Sequence, residues 1–208
     1  MAEKSSIRWI FFDMGYTLIN EDGGHHARNL RTAREISVPV DTLEAAITAG
    51  GQGYWEAAKA LGAERFIRYD RTHEAPYPEA AAVLEALHRR YRLGIIANQP
   101  GGSVERLRRY GLLQYFDLVY SSSEIGIAKP DPTFFTAACR AANCAPDEAL
   151  MVGDRLDNDI APARAAGMRT ARVRQGMHRT LACSTPETRP DFDLARLRDL
   201  PKALGITF

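Results

Sequence analysis

The chain alternates between two kinds of segment. Short apolar runs with almost no polar interruption are "IRWIFF" (7–12), "LGIIA" (93–97), "FDLVY" (116–120), "ALMVG" (149–153) and "TARV" (170–173). Runs of this length predict parallel strands covered on both faces. Between them, apolar positions recur every three or four residues. "PEAAAVLEALHRR" places Ala80, Val83, Leu84 and Leu87 on one helical face, with Pro78 suited to its first turn and Arg89 and Arg90 to its negative end. "GSVERLRRYG" predicts a helix with Ser103 as N-cap and Gly111 as its stop, and "DPTFFTAACRAAN" one capped by Asp131. "DNDIAPARAAG" predicts a helix ending at Gly167, and the tail "FDLARLRDLPKAL" a last helix. Strand and helix in alternation predict an α/β core, a doubly wound, Rossmann-like parallel sheet.

Residues 19–76 break this rhythm, with no convincing strand. "HHARNLRTAREI", "DTLEAAITAG" and "GQGYWEAAKALG" predict three helices, the second capped by Asp41, the third turning Trp55, Ala58 and Leu61 inward. A helical block between the first strand and the rest predicts an inserted subdomain at 19–76, with the core in 1–18 and 77–208. "EAPYP" (74–78) has the composition of the return hinge. No internal repeat or low-complexity tract interrupts either part.

Composition narrows the class. A chain of 208 residues is long enough for one sizeable core and a smaller insertion. A net charge of +1 gives no electrostatic reason to expect nucleic acid or an anionic membrane as partner. Cys139, Cys144 and Cys183 are odd in number and form no C-x-x-C pair, which suits a reducing compartment and small apolar packing roles. The N-terminal apolar run is too short for a signal peptide or a membrane span. A cytoplasmic protein is expected, with its oligomeric state left open.

The candidate chemistry lies at strand ends. Ligands in sheets of this class bind at the carboxyl ends of the strands. Asp13 closes the first apolar run, where a carboxylate can serve as nucleophile, metal ligand or turn residue. Asp154, Asp157 and Asp159 in "VGDRLDND" follow a later strand. Carboxylates gathered in a low-dielectric cleft repel one another unless a cation neutralises them, and oxygen ligands of this kind suit Mg²⁺. Asp157 reads as a helix N-cap, and Asp154 with Asp159 as metal ligands. Lys129, in "IAKPDP", could balance these charges and hold a phosphoryl oxygen, or be a solvated loop lysine.

Taken in order, Asp-x-x-x-Thr after the first strand, Lys-Pro before a helix and Gly-Asp-x-x-x-x-Asp after a late strand resemble the haloacid dehalogenase superfamily. The block at 19–76 resembles the helical (C1-type) cap of that family, and "YPEAAAVLEALHRRYRLGIIAN", "KPDPTFF" and "VGDRLDNDIAPARAAGM" resemble its capped branch. The resemblance implies a hydrolase acting on a small phosphorylated metabolite through an aspartyl-phosphate on Asp13. It implies that Asp13, Asp154 and the Gly15 carbonyl hold Mg²⁺ and that Asp159 orients its waters. It further implies that Lys129 stabilises nucleophile and phosphoryl group, while Thr17 supports the loop.

Two positions depart from the phosphatase pattern. The second aspartate, which exchanges the proton of the leaving group, is Gly15, and the usual Ser or Thr that contacts phosphate is Ala97. Attenuated turnover is expected, since general acid–base help is worth about 10²–10⁴-fold. Asn98 and Gln99 are candidates for phosphate contact in place of the lost hydroxyl, and equally for loop structure. Glu21, Asp22, His25, His26 and Tyr16 lie close to the motif, and a histidine has the pKa that suits neutral-pH proton transfer. Two further readings stay open: a weakly catalytic or non-catalytic phospho-ligand binding protein, and a metal-independent dehalogenase. A Schiff-base mechanism would need a lysine in the cap, where Lys59 alone is found, on a plain amphipathic helix.

Overall fold

A computed structural model describes residues 6–50 and 53–207. The strands are β1 (Trp9–Phe12), β2 (Ile19–Asn20), β3 (Ala75–Pro76), β4 (Arg92–Ala97), β5 (Leu118–Ser121), β6 (Ala149–Gly153), β7 (Arg169–Val173) and β8 (Phe192–Leu194). Six of them form one parallel sheet in the order β5-β4-β1-β6-β7-β8. The chain winds outward from β1 through β4 to β5, then returns to the other side of β1 with β6. Strand order therefore reverses at β1, and the crevice such a switch opens lies beyond the carboxyl ends of β1, β4 and β6.

Alternation along β1 explains why its run is apolar throughout. Ile10 and Phe12 face one layer, where Val83, Leu84 and Leu87 of α4 (Ala80–His88) pack with Leu107, Leu197 and Leu200. Trp9 and Phe11 face the other, against Phe134, Phe135 and Ala138 of α7 (Pro132–Ala141) and Ala163. Both layers exclude water, which is the dominant favourable term in such a core. α7 begins as its sequence predicts: Asp131 caps it by accepting from the Thr133 N–H at 2.8 Å, with Pro132 next.

Several expectations are corrected. The tail "FDLARLRDLPKAL" is not one helix: Phe192–Leu194 adds β8 to the edge of β7, and only Leu200–Ala203 is α-helical. Asp191 fixes that edge by accepting from the Thr170 N–H at 2.9 Å, an alternative to helix that local periodicity does not reveal. Ser103 is not the N-cap of α5 (Ser103–Arg109). Gly102 takes that place, and the Ser103 hydroxyl lies 3.0 Å from that of Ser121. Residues 19–76 do contain strand, since Ile19 and Asn20 pair antiparallel with Pro76 and Ala75.

By contact the chain splits into two compact units, one comprising the chain up to Asn20 and from Ala75 onward, the other Glu21–Glu74. The second is helical: α1 (Asp22–Glu35), α2 (Val40–Gly50) and α3 (Tyr54–Ala60) close around Ala33, Leu43, Tyr54, Ala58 and Ala63. Here too the sequence misplaces details. Asp41 lies inside the first turn of α2 rather than capping it. Tyr54, Ala57 and Ala58 form the buried face of α3, with Ala58 inward as expected and Trp55 and Leu61 half-buried against the same cluster. Of the third predicted helix, Gly51 and Gln52 lie outside the described residues. Arg28 is buried with its guanidinium 3.5 Å from the centre of the Tyr54 ring. Among the described residues no helix is long and apolar enough to cross a membrane.

Candidate active site

The sheet register brings the motif residues together. Phe12 ends β1 opposite Ile95 of β4 and Val152 of β6, so Asp13 is the first residue beyond β1, while β4 runs on to Ala97 and β6 to Gly153. Asp13 emerges at the crevice, its backbone N–H donating to the Val152 carbonyl at 2.9 Å. Asp154 follows β6 directly. Asp159 reaches the same point through a π-helical turn, Leu156–Ile160, whose wider winding sets the Ile160 N–H 3.1 Å from the Arg155 carbonyl. Carboxylate oxygens of Asp13, Asp154 and Asp159 all lie within 4.8 Å of one another.

Lys129 comes from the turn before α7. Its Nζ donates to Asp13 Oδ1 and Asp159 Oδ1, both at 2.6 Å. The Lys129 and Asp159 side chains are each 1% exposed, against 15% for Asp13. Asp13 is thus the carboxylate that an incoming molecule can reach. Asp159 also accepts from the Arg155 N–H at 3.0 Å, through Oδ2. Its carboxyl lies flat over Gly153, where a Cβ would overlap it. That close approach explains the glycine before Asp154.

Three buried or part-buried carboxylates crowd around one ammonium, so ionising all of them is costly. Burial is the largest influence on Asp13 and lifts its carboxyl to about 6, opposed by Lys129 and reinforced by Asp159. Burial likewise holds Asp154 well above the usual carboxylate range, with Asp159 and Asp13 adding to the effect. Burial disfavours the Lys129 charge, but Asp13 and Asp159 outweigh it and raise its pKa. Asp154 Oδ2 is buried with no hydrogen-bond partner among the described residues. Hard oxygen donors, more carboxylates than the one ammonium between them and an orphaned buried oxygen all fit a divalent cation such as Mg²⁺.

A stability prediction follows from Asp13. Its folded pKa lies above the unfolded value of about 3.8. The folded state therefore binds more protons between roughly pH 4 and pH 6, so this contribution is full below that window and lost as pH rises through it. In chelator, thermal melts across pH 4 to 7 should show wild type losing stability relative to Asp13→Asn as pH rises. A constant difference between the two across that range would contradict a raised Asp13 pKa.

The loop after Asp13 is tight. The Leu18 and Ile19 N–H groups both donate to the Met14 carbonyl, at 3.0 and 2.9 Å. The left-handed conformation falls on Tyr16, with φ of 51°, and Gly15 is not among the positive-φ glycines. Tyr16 is buried, its ring against Gly176 just beyond β7, where a Cβ would overlap it. Thr17 is fully buried, its hydroxyl without a partner among the described residues.

The remaining candidates sort by their contacts. Ala97 is buried at the end of β4. Asn98 directs its side chain at Lys129, taking the backbone N–H on Oδ1 and donating from Nδ2 to the carbonyl, each at 2.8 Å. Gln99 accepts from Arg106 at 3.1 Å and donates its N–H to the Ser122 hydroxyl at 3.1 Å. Asp157, expected as a cap, instead forms an ion pair with Arg155 at 2.6 Å, because the π-turn leaves the cap position to Arg155. Within the helical unit, the His25 ring packs 4.8 Å from that of Tyr69 and lies 3.5 Å from Glu21, while His26 meets Glu44 at 2.9 Å. Sequence reading missed the packing of Gly153 and Gly176 and the hold of Asn98 on Lys129. Glycines at or just beyond strand ends were the one available signal.

Comparison with known proteins adds independent findings. The family model of a haloacid dehalogenase-like hydrolase matches residues 7–167. A phosphoserine phosphatase of Thermus thermophilus is 42% identical over 159 residues, covering 76% of this chain and 61% of that protein. A glyceraldehyde 3-phosphate phosphatase of Methanopyrus kandleri is 39% identical over 129 residues, covering 60% of this chain and 54% of that protein. The chain thus spans little more than half the length of these two relatives. Among solved structures, a 2-haloacid dehalogenase from Pseudomonas syringae is similar with a TM-score of 0.66 at 26% identity, covering 96% of this chain and 98% of that one.

Proposed function

Because the chain belongs to the haloacid dehalogenase-like hydrolases, we propose that it cleaves a small phosphorylated metabolite through an aspartyl-phosphate on Asp13. The observation that carries this reading is the Lys129 ammonium held between Asp13 and Asp159 beside a third carboxylate, Asp154, whose Oδ2 has no hydrogen-bond partner among the described residues. Lys129 donates to Asp13 Oδ1, and a carboxylate oxygen of Asp13 attacks phosphorus. The bond from phosphorus to the leaving oxygen breaks as the new one forms. Water then cleaves the acyl phosphate, releasing inorganic phosphate and restoring the carboxylate. Lys129 keeps Asp13 ionised and offers its charge to the transferring group.

Asp13, Asp154 and the Gly15 carbonyl would hold Mg²⁺, with Asp159 behind them. The ion, when bound, supplies the charge neutralisation that a phosphoryl group requires in a buried site. The helical unit Glu21–Glu74 would act as the cap that sets substrate choice. Phosphoserine and glyceraldehyde 3-phosphate, the substrates named for the two relatives, are the first to test. Gly15 has no proton to give and Ala97 no hydroxyl. Acyl and aryl phosphates, which leave without proton assistance, should therefore turn over best.

The test is a phosphate-release screen with Mg²⁺ on an aryl phosphate and these metabolites, comparing wild type with Asp13→Asn. Release that disappears in the variant supports the proposal. Tight binding of a phosphorylated compound with no release from wild type would favour a binding protein. Chloride release from a 2-chloro acid that persists in chelator would favour a dehalogenase, a reading supported by the likeness to the Pseudomonas enzyme and by Gly15.

A further inference from the structure

Asn98 sets both halves of its carboxamide against one peptide unit of the chain. Oδ1 accepts from the Lys129 N–H and Nδ2 donates to the Lys129 carbonyl, both at 2.8 Å. The two partners have different anchorage. Asn98 follows directly on β4, whose last residue, Ala97, is in register with Ser121 of β5. Lys129 sits in a turn between the four-residue helix Ser122–Ile125 and α7. We infer that Asn98 is a positioning residue for Lys129, transferring the register of the sheet to the loop whose ammonium bridges Asp13 and Asp159. This rests on the reading of Asp13 and Lys129 as the reacting pair.

The chemistry of the side chain suits that task. The carboxamide is neutral and presents a donor beside an acceptor, matching the acceptor and donor of one residue's backbone. Aspartate would accept from the N–H but set a negative charge against the carbonyl. Leucine fills a similar volume and does neither. The demand on Lys129 is strict, because two 2.6 Å bonds must be made at once by a long, flexible side chain that is 1% exposed.

The experiment compares wild type, Asn98→Leu and Asn98→Ser, with Asp13→Asn as the chemical blank. Kinetics on an aryl phosphate with Mg²⁺ are read beside the acetylation of individual lysines by limiting acetic anhydride, scored by peptide mass spectrometry. Lys59 and Lys202, both exposed, are internal references. Asn98→Leu should lower kcat by about 10- to 100-fold, the usual cost of a misplaced catalytic group. KM should stay within about twofold, since no substrate contact is removed. Lys129, protected in wild type, should acetylate faster relative to Lys59 and Lys202 in the variant. A raised KM at unchanged kcat would make the Asn98 side chain a substrate ligand and overturn the inference. So would unchanged kinetics and labelling together. If Asn98→Leu fails to fold, Asn98→Ser is judged by the same criteria. If wild type shows no release dependent on Asp13, the proposed function has failed on its own, and equal protection of Lys129 in wild type and variant would still overturn the clamp.

Discussion

Gly15→Asp should raise turnover of an alkyl phosphate such as phosphoserine by about 10²–10⁴-fold, the usual worth of general acid–base catalysis. The gain should be small on an aryl phosphate, whose leaving oxygen needs no proton. The backbone permits the change, because Gly15 is not in the left-handed region and Tyr16 takes that conformation instead. Gly15 is half-buried beside the crevice, paired in a single bridge to Ile19. The measurement is kcat on both substrate types for wild type and Gly15→Asp. Equal gains on the two would mean that the aspartate acts on something other than the leaving group. No gain on the alkyl ester, with the fold intact, would mean that another group already supplies the proton.

Lys129→Met should lower kcat by about 10²–10³-fold, as expected when one electrostatic stabiliser of a charged transition state is removed. It should also destabilise the metal-free protein at neutral pH by about 3–5 kcal/mol, the usual cost of stripping one partner from a buried ion pair. Here the loss falls on two carboxylates at once, since Lys129 bridges Asp13 and Asp159. Urea unfolding in chelator reads this directly. The deficit should shrink below about pH 6, where Asp13 takes up a proton, and should shrink again when Mg²⁺ is added. A variant as stable as wild type at pH 7 in chelator would show that the ammonium does not relieve the carboxylate cluster.

Much of the fold is legible in local pattern. The five apolar runs became strands, and the face Ala80, Val83, Leu84 and Leu87 became the buried side of α4, all fully buried. These succeed because burial on both sides of a parallel strand, or on one side of a helix, is written into consecutive residues. The tail failed for the opposite reason. Phe192 and Leu194 have no local reason to be extended, and β7 supplies it by pairing with them. Ser103 failed because a hydroxyl that suits a cap also suits a neighbouring strand end, and Ser121 was nearer.

By itself, then, the sequence determined the class of fold and pointed to the carboxylates and lysine worth watching, because motif order and strand ends are properties of adjacent residues. The tertiary structure decided which of those groups meet. Asp13 and Lys129 stand 116 residues apart in the chain, and Asn98 and Lys129 stand 31 apart. Only the reversal of strand order at β1 brings those loops to one crevice. The same holds for Asn98: a carboxamide beside a strand end can turn to a substrate or to a neighbouring backbone, and the choice depends on where the sheet places Lys129.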